Sequence, residues 1–87
     1  MKNEHTNEMK IVCVYDKALE AYLNPFVCPA LGGAIRSFMD ETKNPESTVH
    51  THKEDYTLHL IGYFNINTGV LTPCNPQLIA AATDGDK

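Results

Sequence analysis

The sequence predicts a small α+β domain of order β-α-β-β-α, with one amphipathic helix packed on a three-stranded mixed sheet. Three observations carry this. Within residues 29–43 the apolar side chains Leu31, Ala34, Ile35, Phe38 and Met39 follow the i, i+3, i+4, i+7, i+8 spacing of one helical face. Two runs of good strand formers, residues 9–16 and 56–64, flank that helix. The second run leads through Asn65-Ile66-Asn67-Thr68-Gly69 into Val70-Leu71-Thr72, the pattern of a β-hairpin.

Each element has a local reason. In the first strand Met9, Ile11, Cys13 and Tyr15 alternate with Lys10, Val12, Val14 and Asp16. Apolar residues on both faces fit a central strand covered on both sides, or one covered by a second subunit. Between strand and helix, Ala18, Leu19, Ala21 and Tyr22 permit a short helical turn that Asn24-Pro25 would stop. Tyr22, Leu23, Phe26 and Val27 are too apolar for a free loop. They pin the loop to the core or form an interface patch, for which Tyr22, Leu23, Pro25 and Phe26 are the candidates.

Pro29 suits the first helical position, where a missing N–H costs nothing, and Asn44-Pro45 ends the helix. Arg36, Ser37, Asp40, Glu41 and Lys43 form its wet face. Residues 44–55 read as a polar loop. In the strand at 56–64, Leu58, Leu60 and Phe64 would share one face and Thr57, His59, Ile61 and Tyr63 the other, with Gly62 marking a bulge or a close backbone approach. Pro73 should end the hairpin, and a second helix should start at Asn75 and Pro76 and continue through residues 78–82. Residues 1–8 are expected as a flexible extension, 9–82 as one domain and 83–87 as a flexible tail. A crossover through the central helix would make the first two strands parallel. So small a core under an open sheet favours a homo-oligomer, with a dimer first.

With eleven acidic and seven basic side chains the chain carries a formal charge of −4, which argues against a general phosphate-binding surface but leaves room for a local basic strip. The longest apolar run is too short to span a bilayer, and the polar start is unlike a signal peptide, so no membrane association is expected. Cys13, Cys28 and Cys74 are odd in number and lack CxxC spacing; free thiols are expected, with a disulfide as the alternative. His50-x-His52 with His59 lacks a second ligand pair at zinc-site spacing, and no glycine-rich phosphate loop occurs, so no metal or cofactor is expected. Nothing in the spacing puts a base beside a cysteine, and an enzyme is not expected. For single-stranded nucleic acid, the candidate contacts are Lys10, Lys17, Arg36, Lys43 and Lys53, with Tyr15 and Tyr63 as stacking rings. Core aromatics and a solvated helix face are the plainer account of the same residues.

An ordered set of landmarks adds to this. Val14-Tyr15-Asp16 closes the first strand, then come Ala21-Tyr22 and Pro25-Phe26, and Ala34, Arg36, Phe38 and Asp40 in the helix. Asp55-Tyr56-Thr57-Leu58, Gly62-Tyr63-Phe64, Gly69, Pro76 and Leu78 follow. The order and spacing of these residues, over about residues 10–80, resemble the small non-structural protein of gokushovirus-type microviruses, the icosahedral single-stranded-DNA phages. The resemblance implies a DNA-associated protein acting in single-stranded genome synthesis or packaging in the host bacterial cytoplasm. Its implied partners are single-stranded DNA and phage or host replication proteins. The competing expectation is an acidic adaptor that engages a replication protein without touching DNA. The polar N-terminal extension lies outside the resemblance.

Overall fold

The structure is a computed structural model that describes residues 8–86. Its strands are β1 (Glu8–Asp16), β2 (Ala21–Tyr22), β3 (Phe26–Cys28), β4 (Tyr56–Asn65) and β5 (Leu71–Ala81). Helix α1 covers Leu31–Thr42 and a single-turn helix α2 covers Thr48–Thr51. Short 3₁₀ turns lie at Lys53–Asp55 and Ala82–Asp86. The five strands form one antiparallel sheet in the order β2-β1-β4-β5, with β3 also on β1, beside β2 and nearer the start of β1. The α+β class and the single main helix agree with the sequence. The three-stranded mixed sheet does not.

The reason for the difference is β3. Phe26, Val27 and Cys28 pair with Val12, Ile11 and Lys10, so the chain has already returned to the start of β1 when α1 begins. The helix carries it back across the sheet, and β4 enters antiparallel to β1, with Tyr56 opposite Asp16. Because β3 and β4 both run against β1, they are parallel to each other. The crossover expected of a strand–helix–strand unit is therefore present. It joins β3 to β4 and passes over β1, rather than joining β1 to its neighbour.

The second correction is β5. The helix expected over residues 75–82 is not there: residues up to Ala81 continue an edge strand that contains both Pro73 and Pro76, and Ala82 opens the 3₁₀ turn. An edge strand tolerates proline because half of its N–H groups have no ladder partner. Helix propensity favours alanine by only a few tenths of a kcal/mol per residue, and pairing along the free edge of β4 outweighs it. Register shifts in the β4–β5 ladder absorb the proline-bearing stretch.

The core lies between the sheet and α1. Val12, Cys28, Ala34, Phe38, Tyr56, Leu58, Leu60, Ala80 and Ala82 form one buried cluster, with Leu31, Ile35 and Met39 packed against it. Four of the five residues predicted for the helix's apolar stripe thus join Phe38 at the sheet. Ala30 takes the N-cap position, two residues later than a helix starting at Pro29 would have it. Thr42, also buried, donates its hydroxyl to the Met39 carbonyl at 2.6 Å and closes the last turn. The Ala82–Asp86 turn, which overlaps the tail expected at 83–87, lies at this end of α1, with Gly85 beside Thr42 and Met39. Residues 1–7, where the flexible extension was expected, and Lys87 lie outside the described residues.

Gly62 sits at a bulge. Ile11 faces Gly62 and Val12 faces Leu60, which leaves Ile61 as the extra residue on β4. One extra residue exchanges the two faces of everything beyond it. Tyr63, expected beside Thr57 and His59, instead faces the helix side and packs on the core, while Phe64 turns to the opposite side. A Cβ at Gly62 would lie 2.8 Å from the Thr72 carbonyl oxygen, so the close backbone approach is real as well.

Candidate functional site

β1 and its antiparallel neighbours assemble an aromatic group on the face away from α1. Tyr15 pairs with Tyr22 across β1–β2 and with Thr57 across β1–β4, and Cys13 pairs with His59. Residues directly opposed in an antiparallel ladder point to the same face, so these side chains are neighbours. The Tyr15 and Tyr22 rings are tilted at 58° with centroids 4.8 Å apart. The His59 ring meets Tyr22 edge-on at 5.4 Å and Tyr15 at 6.2 Å. His59 Nε2 lies 2.9 Å from the Thr57 hydroxyl, whereas Nδ1 is buried without a hydrogen-bond partner. Burial therefore pushes the His59 pKa below the usual imidazole range.

Beneath this group Cys13 is buried outside the main core and donates its thiol to the Leu23 carbonyl at 2.9 Å. Burial pushes the Cys13 and Cys28 thiols up, away from the reactive thiolate, and all three cysteines are free. His50 turns Nδ1 onto the Thr42 carbonyl at 2.7 Å, which separates it from His59 on the sheet. Among the described residues no three His, Cys, Asp or Glu side chains come together as a metal site, and no helix is long and apolar enough to cross a membrane.

The basic candidates disperse. Lys10 stands over the Tyr63 ring, 5.8 Å from its centroid, on the helix side of the sheet. Lys17 follows the other end of β1 and donates its backbone N–H to the Asp55 carbonyl. Arg36 and Lys43 are exposed on α1 and at its C-cap. Lys53 is engaged with Asp86, Nζ to Oδ1 at 2.9 Å. The two proposed stacking rings thus lie on opposite faces of the sheet, Tyr15 with Tyr22 and His59, Tyr63 with Lys10. The proposed interface residues divide as well: Tyr22 points away from α1 and Phe26 toward its side, while Leu23 and Pro25 are exposed between them.

From the sequence His59 is weighed only as a metal ligand, and the pairing of Tyr22 onto Tyr15 is not foreseen. The alternation of residues 57–63 places His59 on the face of Thr57. What brings Tyr22 there is a two-residue strand, too short to leave a periodic signal.

A family model described as phage ORF5 protein matches residues 9–85. No curated protein matches, and no solved structure does. The match spans both long strand ladders, α1 and nearly all of the terminal turn, and the chain belongs to the phage ORF5 protein family.

Proposed function

We propose that this phage protein is a non-structural protein of the gokushovirus-type microviruses. It acts without enzymatic chemistry in the host bacterial cytoplasm, as a DNA-associated factor in single-stranded genome synthesis or packaging. The observation that supports direct contact is the Lys10–Tyr63 pair, a half-buried ring with an ammonium over its face. Single-strand binders combine stacking surfaces with cations that track the backbone. Arg36 and Lys43 are exposed on α1 and at its C-cap, on the same side of the sheet. The raised thiols of Cys13 and Cys28 are the opposite of what a nucleophile requires.

The test is fluorescence anisotropy of labelled single- and double-stranded oligonucleotides at two salt concentrations. Binding that prefers single strands and weakens with salt supports the reading; no binding at low salt removes it.

A second reading, an adaptor for a phage or host replication protein, is favoured by the dispersal of the cations. Lys10 and Lys17 stand about 23 Å apart along β1, and Lys53 is neutralised by Asp86. In that case Phe26→Asp, an exposed change at the sheet edge, abolishes capture of the replication protein while the domain stays folded. Capture that survives this change removes the adaptor surface from this edge.

A further inference from the structure

The sheet face away from α1 carries no charge. Following the register across the sheet, its side chains are Tyr22, Tyr15 and Thr57, then Cys13, His59 and Leu78, then Val27, Ile11 and Pro73, then Met9, Phe64 and Leu71. The charged residues of β1, Glu8, Lys10 and Asp16, all alternate to the helix side. An antiparallel sheet that leaves one face in water shows polar residues there. This one shows large apolar groups, with Leu71 and Leu78 each 63% exposed, Val27 48% and Tyr22 44%. We infer that this face is a self-association surface, on which a second copy of the chain packs sheet against sheet about a two-fold axis.

Charge and area select the second copy over other occupants. A nucleic acid laid on this face would find rings but no cation for its phosphates, and the chain's net charge of −4 would repel it. Two copies of an acidic protein also repel each other, except where they meet through a surface with no charge. A two-fold interface sets one patch against itself, so a neutral apolar patch is self-complementary. β1, β4 and β5 are 9, 10 and 11 residues long. At about 3.3 Å per residue and about 4.8 Å between strands, four strand positions make a face of about 30 by 19 Å. That is a plan area of about 570 Å² per copy, above the roughly 500 Å² per partner that a specific interface requires. Packed in this way, the two α1 layers face outward, and Lys10, Tyr63 and Arg36 of each copy stay free.

The experiment is sedimentation equilibrium of the full chain across micromolar concentrations, with Leu78→Glu and Phe26→Asp as variants. Wild type is expected at twice the 9.7 kDa chain mass. Leu78→Glu, which sets like charges across the dyad, should weaken the dimer about 100-fold or more. Because Leu78 is exposed in the monomer, its far-ultraviolet circular dichroism should be unchanged. Phe26→Asp, on the helix side of the sheet, should remain dimeric. A monomeric wild type overturns the inference. So does a Leu78→Glu dimer as tight as wild type, or dissociation by Phe26→Asp alone. Binding of oligothymidylate that is lost in Leu78→Glu would assign the face to nucleic acid and overturn it too.

Discussion

His59 presents Nε2 to the Thr57 hydroxyl at 2.9 Å and buries Nδ1 with no hydrogen-bond partner, its ring in contact with those of Tyr15 and Tyr22. A neutral imidazole satisfies this arrangement with one nitrogen. An imidazolium would bury an unpaired N–H and a charge on a face whose nearest titratable groups, Cys13, Tyr15 and Tyr22, carry none to oppose it. The folded pKa is accordingly depressed by burial, while the unfolded chain titrates near the ordinary histidine value of about 6.5. The unfolded state then binds more protons between the two values. Stability is full above about pH 6.5 and is lost as the pH falls toward the folded pKa. Thermal melts from pH 8 to pH 5 should show this decline, and His59→Phe should flatten it. An equal decline in the variant would assign the effect to other groups.

Gly62→Ala should destabilise the domain, although alanine normally improves on glycine in a strand. The new Cβ meets the Thr72 carbonyl oxygen at 2.8 Å and the Pro73 Cα at 3.3 Å, both backbone atoms that cannot rotate away. Separating β5 from β4 at this point costs about 1–3 kcal/mol by analogy with overpacked cores. A lower urea midpoint with an unchanged slope is the expected result. A midpoint at or above wild type would mean that the edge strand yields freely.

The same glycine shows where the sequence is legible and where it stops being so. A glycine inside a run of β formers announces a bulge, but not which side residues beyond it will take. The alternation of residues 57–60 was therefore readable, and the faces of Tyr63 and Phe64 were not. The helical stripe of α1 could be read because five apolar side chains recur at helical spacing within its twelve residues. β2 and β3, two and three residues long, are held by their register on β1 and have no period of their own. Leu78-Ile79-Ala80-Ala81 suits helix and strand alike, and only the free edge of β4 decides between them. The candidate cations could be named from composition. Their dispersal, and the gathering of Tyr15, Tyr22 and His59, depend on pairings that the sequence does not express locally.

Glu20 occupies the left-handed region, with φ of 54°, at the end of the turn whose Glu20 N–H donates to the Lys17 carbonyl at 3.2 Å. A side chain there is crowded by its own backbone, and glycine is not. Glu20→Gly should stabilise the domain by about 0.5–1 kcal/mol after the entropy of the added freedom is subtracted. Chemical denaturation that finds the variant weaker than wild type would show that the carboxylate has a role in the turn that outweighs the strain.

Asp16 anchors the other end of that turn. It is buried, and its Oδ1 accepts the N–H of Ala18 at 3.0 Å and of Leu19 at 3.4 Å. Asp16→Ala would leave these donors to water and should cost about 1–2 kcal/mol. Asp16→Asn keeps an acceptor in place and should recover most of the loss. If both variants lose the same stability, the charge rather than the hydrogen-bond geometry is what the turn needs.

Lys10 offers the sharpest distinction between the two functional readings. Its ammonium already lies over Tyr63, so a base stacking on that ring would bring its phosphate within reach of the same side chain. Lys10→Ala should then weaken binding of a single-stranded oligonucleotide at low salt and lower the slope of log affinity against log salt by about 0.7, the share of one phosphate contact. Tyr63→Leu keeps an apolar group against the core but removes the aromatic face, and should weaken binding with little change in that slope, because stacking releases no counterions. A cation–π pair that serves only the fold predicts the reverse: both variants lose stability in urea and neither changes affinity. An adaptor predicts that neither variant affects DNA at all, since wild type would not bind it. Measuring slope and stability on the same two proteins therefore separates a nucleic-acid contact from a structural one.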